Sequence, residues 1–260
     1  MATVQTLYSG SSGNCTLLKD ASTSILIDMG KSCKETVAAL SSAGEEPENI
    51  SAIFITHEHS DHISGLEVFL RRYRVPLFGS AATLEYLWDN ALIPECDFAE
   101  VEPGQEILLG SVAVSGFRTS HDSVDCYGYR FGFENKRSAG LATDLGYVSE
   151  GVMENLSGCS FIGLESNYDE ELLRLGPYPS FLKKRISSRS GHLSNKECAQ
   201  ALAMFAAKGT EKCLLMHLSE RNNAPEYALT ACLGMMENYG IDGCEVEVAP
   251  RHIAGKVIEV

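Results

Sequence analysis

Apolar residues along this chain recur with two spacings, and the two alternate. Short runs suit buried strands, and stripes three or four residues apart suit helices. Val4 and Leu7 open a first strand; Thr16-Leu17-Leu18 and Ser24-Ile25-Leu26-Ile27 read as an antiparallel pair, and Ala52 to Ile55 as a buried strand. Leu66, Phe69, Leu70 and Tyr73 then line one face of a helix. Further strands are expected over Pro76 to Gly79, Ile107 to Leu109, Val112 to Val114, Val114 to Phe117, Phe161 to Leu164, Lys212 to Met216, Glu245 to Val248 and Lys256 to Val260. Helices are expected over Lys34 to Leu40, Ala81 to Trp88, Lys196 to Ala207 and Pro225 to Glu237. Ser194 and Glu197 form a capping box for the third of these, and Gly209 ends it. Ser9 to Cys15 and Glu102-Pro103-Gly104 are turns, too rich in Gly, Ser and Pro to lie inside an element. The alternation predicts an α/β protein, a four-layer αββα sandwich of mixed sheets, as one domain over residues 1–260.

The densest chemistry lies beyond the Ala52 to Ile55 run, in Thr56-His57-Glu58-His59-Ser60-Asp61-His62. This loop leaves the carboxyl end of a strand, where open α/β layers place their sites. Alternate residues of an extended chain point the same way, so His57 and His59 are expected to share a side. Asp61 and His62 fall where the chain turns into the helix, placed to face a second cation. One loop histidine is ordinarily a surface or core residue. Three imidazoles and a carboxylate crowded together form a donor set that divalent metals prefer.

Single polar residues stand at other strand ends. Asp28 closes the Ser24 to Ile27 run, where a carboxylate can simply cap the next helix. His121 follows Val114 to Phe117, Asp144 follows Leu141-Ala142-Thr143, Glu165 ends Phe161 to Leu164, and His217 follows Lys212 to Met216. Ser11, Ser12 and Asn14 lie in the Gly/Ser turn, either a plain hairpin loop or one whose amides and hydroxyls hold phosphate oxygens. Lys183, Lys184, Arg185 and Arg189 make the dense basic cluster of the chain. Such clusters are usually solvated helix faces, but this one lies directly before Gly191-His192, which favours phosphate contact. Asn222, in the segment after His217, joins the phosphate-contact candidates. His192 stands just ahead of a helix N-terminus, whose dipole disfavours its protonated form.

His-x-His-x-Asp-His at a strand-to-helix loop resembles the second motif of the metallo-β-lactamase-fold hydrolases. Over nearly all its length the chain resembles the YycJ (WalJ) group of that superfamily, bacterial proteins regarded as metal-dependent nucleases. The resemblance implies two divalent ions, zinc, manganese or iron. His57, His59 and His121 would hold the first, Asp61, His62 and His217 the second, and Asp144 would bridge them. It implies further that Asp28 supports the metal loop by hydrogen bonds. Glu165 with His192 resembles the glutamate–histidine proton shuttle of the tRNase Z enzymes, and Gly128-Tyr129 after His121 resembles the RNA-processing members. The implied reaction is in-line attack of water on a phosphodiester, with Asp61 orienting the nucleophile and His192 protonating the leaving oxygen. A compact 5′–3′ exonuclease follows by analogy, with DNA the expected partner and RNA the alternative. The span between Asp144 and His217 is too short for the large insertion of the β-CASP ribonucleases, and no Gly/Pro-rich arm for gripping tRNA stands between His62 and His121.

The formal net charge of −14 weighs against passive coating of nucleic acid, since phosphate neutralisation normally supplies most of the affinity. It leaves room for a site that handles one phosphodiester. No export signal or membrane-length apolar run is visible, and nine scattered cysteines show no CxxC pair, so reduced thiols and a cytoplasmic protein are expected. Two other readings share these motifs: hydrolysis of a small thioester, ester or lactam, and a non-catalytic regulatory protein holding a structural metal. Against the first stand the Glu165/His192 pair, the basic cluster and the lack of an added helical substrate domain. Against the second stands the complete ligand set.

Overall fold

Fourteen strands form two seven-stranded sheets in the computed structural model, which describes residues 1–260. In chain order the elements are β1 (Thr3–Tyr8), β2 (Cys15–Asp20), β3 (Thr23–Ile27), α1 (Cys33–Ser42), β4 (Ile50–Phe54), α2 (Ser60–Ile63), α3 (Leu66–Tyr73), β5 (Leu77–Gly79), α4 (Ala81–Asp89) and β6 (Phe98–Glu100). There follow β7 (Glu106–Leu109), β8 (Val112–Arg118), β9 (Tyr127–Phe133), β10 (Ser138–Ala142), α5 (Glu150–Leu156), β11 (Phe161–Glu165), α6 (Glu170–Leu175), α7 (Ser180–Ile186), α8 (Asn195–Ala206), β12 (Lys212–Met216), α9 (Pro225–Asn238), β13 (Glu245–Val248) and β14 (Ile258–Glu259).

The first sheet runs β14-β1-β2-β3-β4-β5-β6 and the second β13-β12-β11-β10-β9-β8-β7. Each is antiparallel on one side and parallel on the other: β3 to β6 are parallel neighbours, as are β10 to β13. The hydrophobic core has three parts, which makes the expected four layers. Between the sheets, Val4, Leu18, Ile25 and Phe54 meet Val114, Tyr129, Phe131 and Leu214. Phe54 stacks on Phe78 with ring centroids 4.8 Å apart and takes the edges of Tyr129 and Phe131. Outside the first sheet pack Leu40, Leu66, Phe69 and Leu84 from α1, α3 and α4; outside the second pack Val152, Leu202 and Cys232 from α5, α8 and α9. No helix is long and apolar enough to cross a membrane, and all nine cysteines are unpaired.

Several elements escaped the periodicity, β6, β9, α5, α6 and α7 among them. In β9, aromatic residues alternate with Gly128, Arg130 and Gly132, so the period of two is carried by rings that all face the inter-sheet core. The short helix α5 carries Gly151 and buries only Val152 and Leu156, too few positions for a readable stripe. Asp28 does not cap α1; Ser32 does, in a capping box with Glu35.

Candidate metal centre

The parallel strands β3, β4, β10, β11 and β12 all deliver a polar residue at or just past their carboxyl ends. In order these are Asp28, His57, Asp144, Glu165 and His217. Asp28, Asp144 and His217 each have a left-handed backbone, with φ of 62°, 59° and 57°. Non-glycine residues held there by surrounding structure cluster at functional sites, because each sharp reversal re-aims one side chain off the strand axis.

His57, His59 and His121 face one another with ring centroids 4.6 to 5.1 Å apart. A second set joins Asp61, His62 and His217: the Asp61 Oδ2 atom lies 3.6 Å from His62 Nε2 and 3.4 Å from His217 Nε2. Asp144 stands between the sets, with Oδ2 3.2 Å from His62 Nε2 and Oδ1 3.6 Å from His121 Nε2. Asp61 and His62 sit on the single turn of α2 rather than on open loop. A β-carbon on Gly30 would collide with the Asp61 carbonyl, so that turn packs against Gly30 only because the residue is glycine.

Apart from His59, the imidazoles of the two sets each have a partner on Nδ1, which leaves Nε2 for the cleft. His62 Nδ1 donates to Asp28 Oδ2 at 2.8 Å, His121 Nδ1 to the Gly191 carbonyl at 2.9 Å, and His217 Nδ1 to Glu165 Oε1 at 2.8 Å. His57 Nδ1 lies 3.0 Å from Thr56 Oγ1, which itself donates to Asp28 Oδ2 at 2.9 Å. The buried atoms His57 Nε2, His217 Nε2 and Asp144 Oδ2 have no hydrogen-bond partner. Buried polar atoms are normally satisfied, so orphans aimed into one cleft, on nitrogen and oxygen donors, fit a bound divalent cation.

Charge and burial set the proton affinities. Burial, then His62 and other imidazoles nearby, hold His57 well below its ordinary pKa. Burial opposes protonation of His62 too, but the Asp28, Asp144 and Asp61 carboxylates outweigh it and hold His62 well above. For Asp144 burial opposes ionisation, yet His217, His62 and His121 keep its pKa well down. Glu165, the last residue of β11, binds three loops at once. Its Oε1 accepts from His192 Nδ1 (2.9 Å) and His217 Nδ1, and its Oε2 from Leu145 N (2.8 Å) and Leu193 N (3.0 Å). His192 is raised above its ordinary value, burial being outweighed by Glu165 and Asp144; the carboxylates prevail over the helix dipole.

A model of the beta-lactamase superfamily domain matches residues 20–218 of the chain. The exodeoxyribonuclease WalJ of Streptococcus pneumoniae is 38% identical over 228 residues, 85% of this chain and 83% of that protein. The exodeoxyribonuclease YycJ of Bacillus anthracis is 36% identical over 237 residues, 90% and 89% of the two. The chain belongs to the WalJ/YycJ family of the β-lactamase superfamily. Solved structures agree on the family's fold: YhfI of Bacillus subtilis aligns with a TM-score of 0.72 at 17% identity over 98% of both chains, and the short form of human tRNase Z with 0.68 at 16% over 100% of both.

Around this family's histidine and aspartate clusters, which suit divalent metal, the expected phosphate contacts lie unevenly. Ser11 and Ser12 are exposed at the turn. Asn14 is not free for substrate: it is buried, its Oδ1 accepts from Gly10 N at 2.9 Å, and its Nδ2 lies 3.2 Å from His62 Nε2. Asn222 is fully buried, its amide nitrogen against Ser219 Oγ at 3.3 Å. A side chain sealed beneath its own loop has no path to phosphate. On α7, Lys183 Nζ donates to the Arg174 carbonyl at 2.7 Å, Lys184 is exposed, and Arg185 Nε donates to Asp122. The Arg189 guanidinium, beyond α7, lies 3.9 Å from the ring centroid of Tyr147. Thr56, Glu58 and Asp122 were not singled out in the sequence. Thr56 orients two histidines, and Glu58 Oε1 accepts from Val124 N at 3.0 Å, fixing the His121 loop. A hydroxyl at a buried strand end beside His57 was the available signal for Thr56. Glu58 and Asp122 carried none beyond adjacency to histidine.

Proposed function

We propose that the chain is a two-metal phosphodiesterase that removes nucleotides from the 5′ end of DNA, with RNA as the alternative polymer. The observation that carries this reading is the buried Asp144 carboxylate lying between the donor sets, with Oδ2 toward His62 and Oδ1 toward both His121 and His217. Its relatives named as exodeoxyribonucleases support the substrate class. In this reading His57, His59 and His121 would hold one ion and Asp61, His62 and His217 the other, with Asp144 available to both. Zinc, manganese and iron all suit these ligands. Bound divalent ions supply an acidified water and neutralise charge that builds on the phosphoryl oxygens. Asp61, about a quarter exposed at 24%, reaches the cleft and orients the attacking water. His192, with Nδ1 tied to Glu165 and 21% of its side chain exposed, presents Nε2 to protonate the leaving oxygen. Asp28 and Glu165 hold the rings against the pull of substrate. A cytoplasmic setting, in keeping with nine unpaired thiols, belongs to the same reading.

The test is digestion of 5′-labelled and 3′-labelled DNA and RNA of one sequence, with manganese, zinc or EDTA, beside nitrocefin and a thioester. Metal-dependent release of mononucleotides from the 5′ end of DNA is expected. Hydrolysis of the lactam or thioester without phosphodiester cleavage would replace this reading with a small-substrate hydrolase. Metal binding without any turnover would leave a regulatory protein.

A further inference from the structure

Asp122 follows His121, yet it belongs to neither donor set and takes no part in the chemistry above. Its two oxygens face different neighbours. Oδ2 accepts from Arg185 Nε, in the last turn of α7, at 2.5 Å, and Oδ1 lies 3.4 Å from His121 Nε2, the nitrogen turned to the cleft. The backbone around it is pinned on three sides. His121 Nδ1 donates to the Gly191 carbonyl, Ser120 Oγ to the Arg189 carbonyl, and Val124 N to Glu58 Oε1. A β-carbon on Gly146 would also collide with the Arg189 carbonyl, so the segment after α7 is clamped onto the loop that carries Asp144. Only side chains are left free to move. Both are open to water, Arg185 at 57% and Asp122 at 31%.

We propose that Asp122 stands in for a substrate phosphate: it holds Arg185 at the rim of the His57–His59–His121 set until a phosphate group displaces it and takes over the guanidinium. The proposal rests on the phosphodiesterase reading. Carboxylate and phosphate are both oxyanions that fit a guanidinium fork, so one can replace the other without rebuilding the site. Asp122 engages Arg185 through Nε, which leaves the two terminal nitrogens to a larger anion. Half-exposed ion pairs contribute little, so the exchange is cheap for a multiply charged phosphate close to bound cations. A lactam or thioester brings at most a singly charged carboxylate, no better a partner for Arg185 than the Asp122 group it would replace, and leaves the pair closed. The pair therefore acts as a selectivity filter, and it lets an acidic chain keep a cation ready beside its cleft without leaving it bare.

The experiment is a double-mutant cycle on the manganese-loaded full chain, with deoxyadenosine monophosphate as the titrated probe in calorimetry. Asp122→Asn is expected to tighten binding roughly fivefold and Arg185→Gln to weaken it roughly tenfold. In the double variant the gain from Asp122→Asn disappears. Asp122→Ser reads the same coupling if the asparagine amide still accepts from Arg185. The proposal is overturned if Asp122→Asn leaves the affinity unchanged, or if the gain persists without Arg185. It is also overturned if the parent binds no nucleotide, or if manganese affinity drops tenfold or more in Asp122→Asn, which would make Asp122 a ligand. Should the parent cleave no DNA while the cycle couples as described, the nuclease reading falls and the Asp122–Arg185 relation stands. Cleavage without coupling removes the relation alone.

Discussion

Glu165 Oε1 lies 2.8 Å from His217 Nδ1, so a residue expected to serve the proton donor His192 also orients a candidate metal ligand. One oxygen serves both imidazoles, while the other accepts two backbone amides. Proton transfer and metal geometry are thus tied through one buried carboxylate.

Glu165→Gln is expected to damage both functions. Whichever way the amide turns, its NH2 group meets two donors, and both lose their acceptor. Metal affinity should fall about 10- to 100-fold, as for other groups that support a ligating histidine. Competition with a fluorescent chelator measures this; unchanged affinity would show that His217 does not depend on the carboxylate.

His192→Ala should lower turnover by about a hundredfold or more while leaving metal content as it was, because His192 acts as an acid and not as a ligand. Rate assays paired with metal analysis of the same sample separate the roles. Full turnover would remove His192 from the mechanism, and lost metal would reassign it.

Asp28 offers a comparison of two substitutions. Asp28→Asn keeps a side chain tolerated at φ 62° and is expected to weaken metal binding about tenfold by loosening His62. Asp28→Ala should add a loss of at least about 1 kcal/mol in folding stability, from backbone strain and from the Thr56 donors left unpaired. Chemical denaturation of the two variants checks the difference. Equal stability would show that the left-handed turn is not strained.

Glu45 gives the pH prediction away from the centre. Burial opposes its ionisation, but Lys19 at 2.7 Å, Ser24 at 2.8 Å and Asn49 at 3.0 Å outweigh it and keep its pKa below the ordinary carboxylate value. A depressed folded pKa stabilises the fold above the unfolded value of about 4.3 and loses that contribution as pH falls through the folded value. Glu45→Gln should therefore cost about 1 kcal/mol near neutrality and progressively less toward about pH 3. Urea titrations at the two ends read this directly, and a cost that does not vary with pH would contradict it.

Taken alone, the residue order determined what depends on near neighbours. The run Ala52 to Ile55 followed by His57, His59, Asp61 and His62 marked a strand, a loop and a donor set because the ligands sit within one turn of chain. Ser194 and Glu197 marked the start of α8 for the same local reason. Tertiary structure alone decided which distant residues meet. Glu165 reaches His217, and Arg185 reaches Asp122, only because β11 and β12 are parallel neighbours and α7 folds back over the His121 loop. It also decided which polar residues are spent inside: Asn14 and Asn222 look like surface amides in the sequence but are buried, Asn14 against Gly10 and Asn222 against Ser219. Spacing along a chain reports periodicity and local capping. Which side chains share a cleft depends on sheet order and layer packing, and those are set by burial summed over the whole molecule.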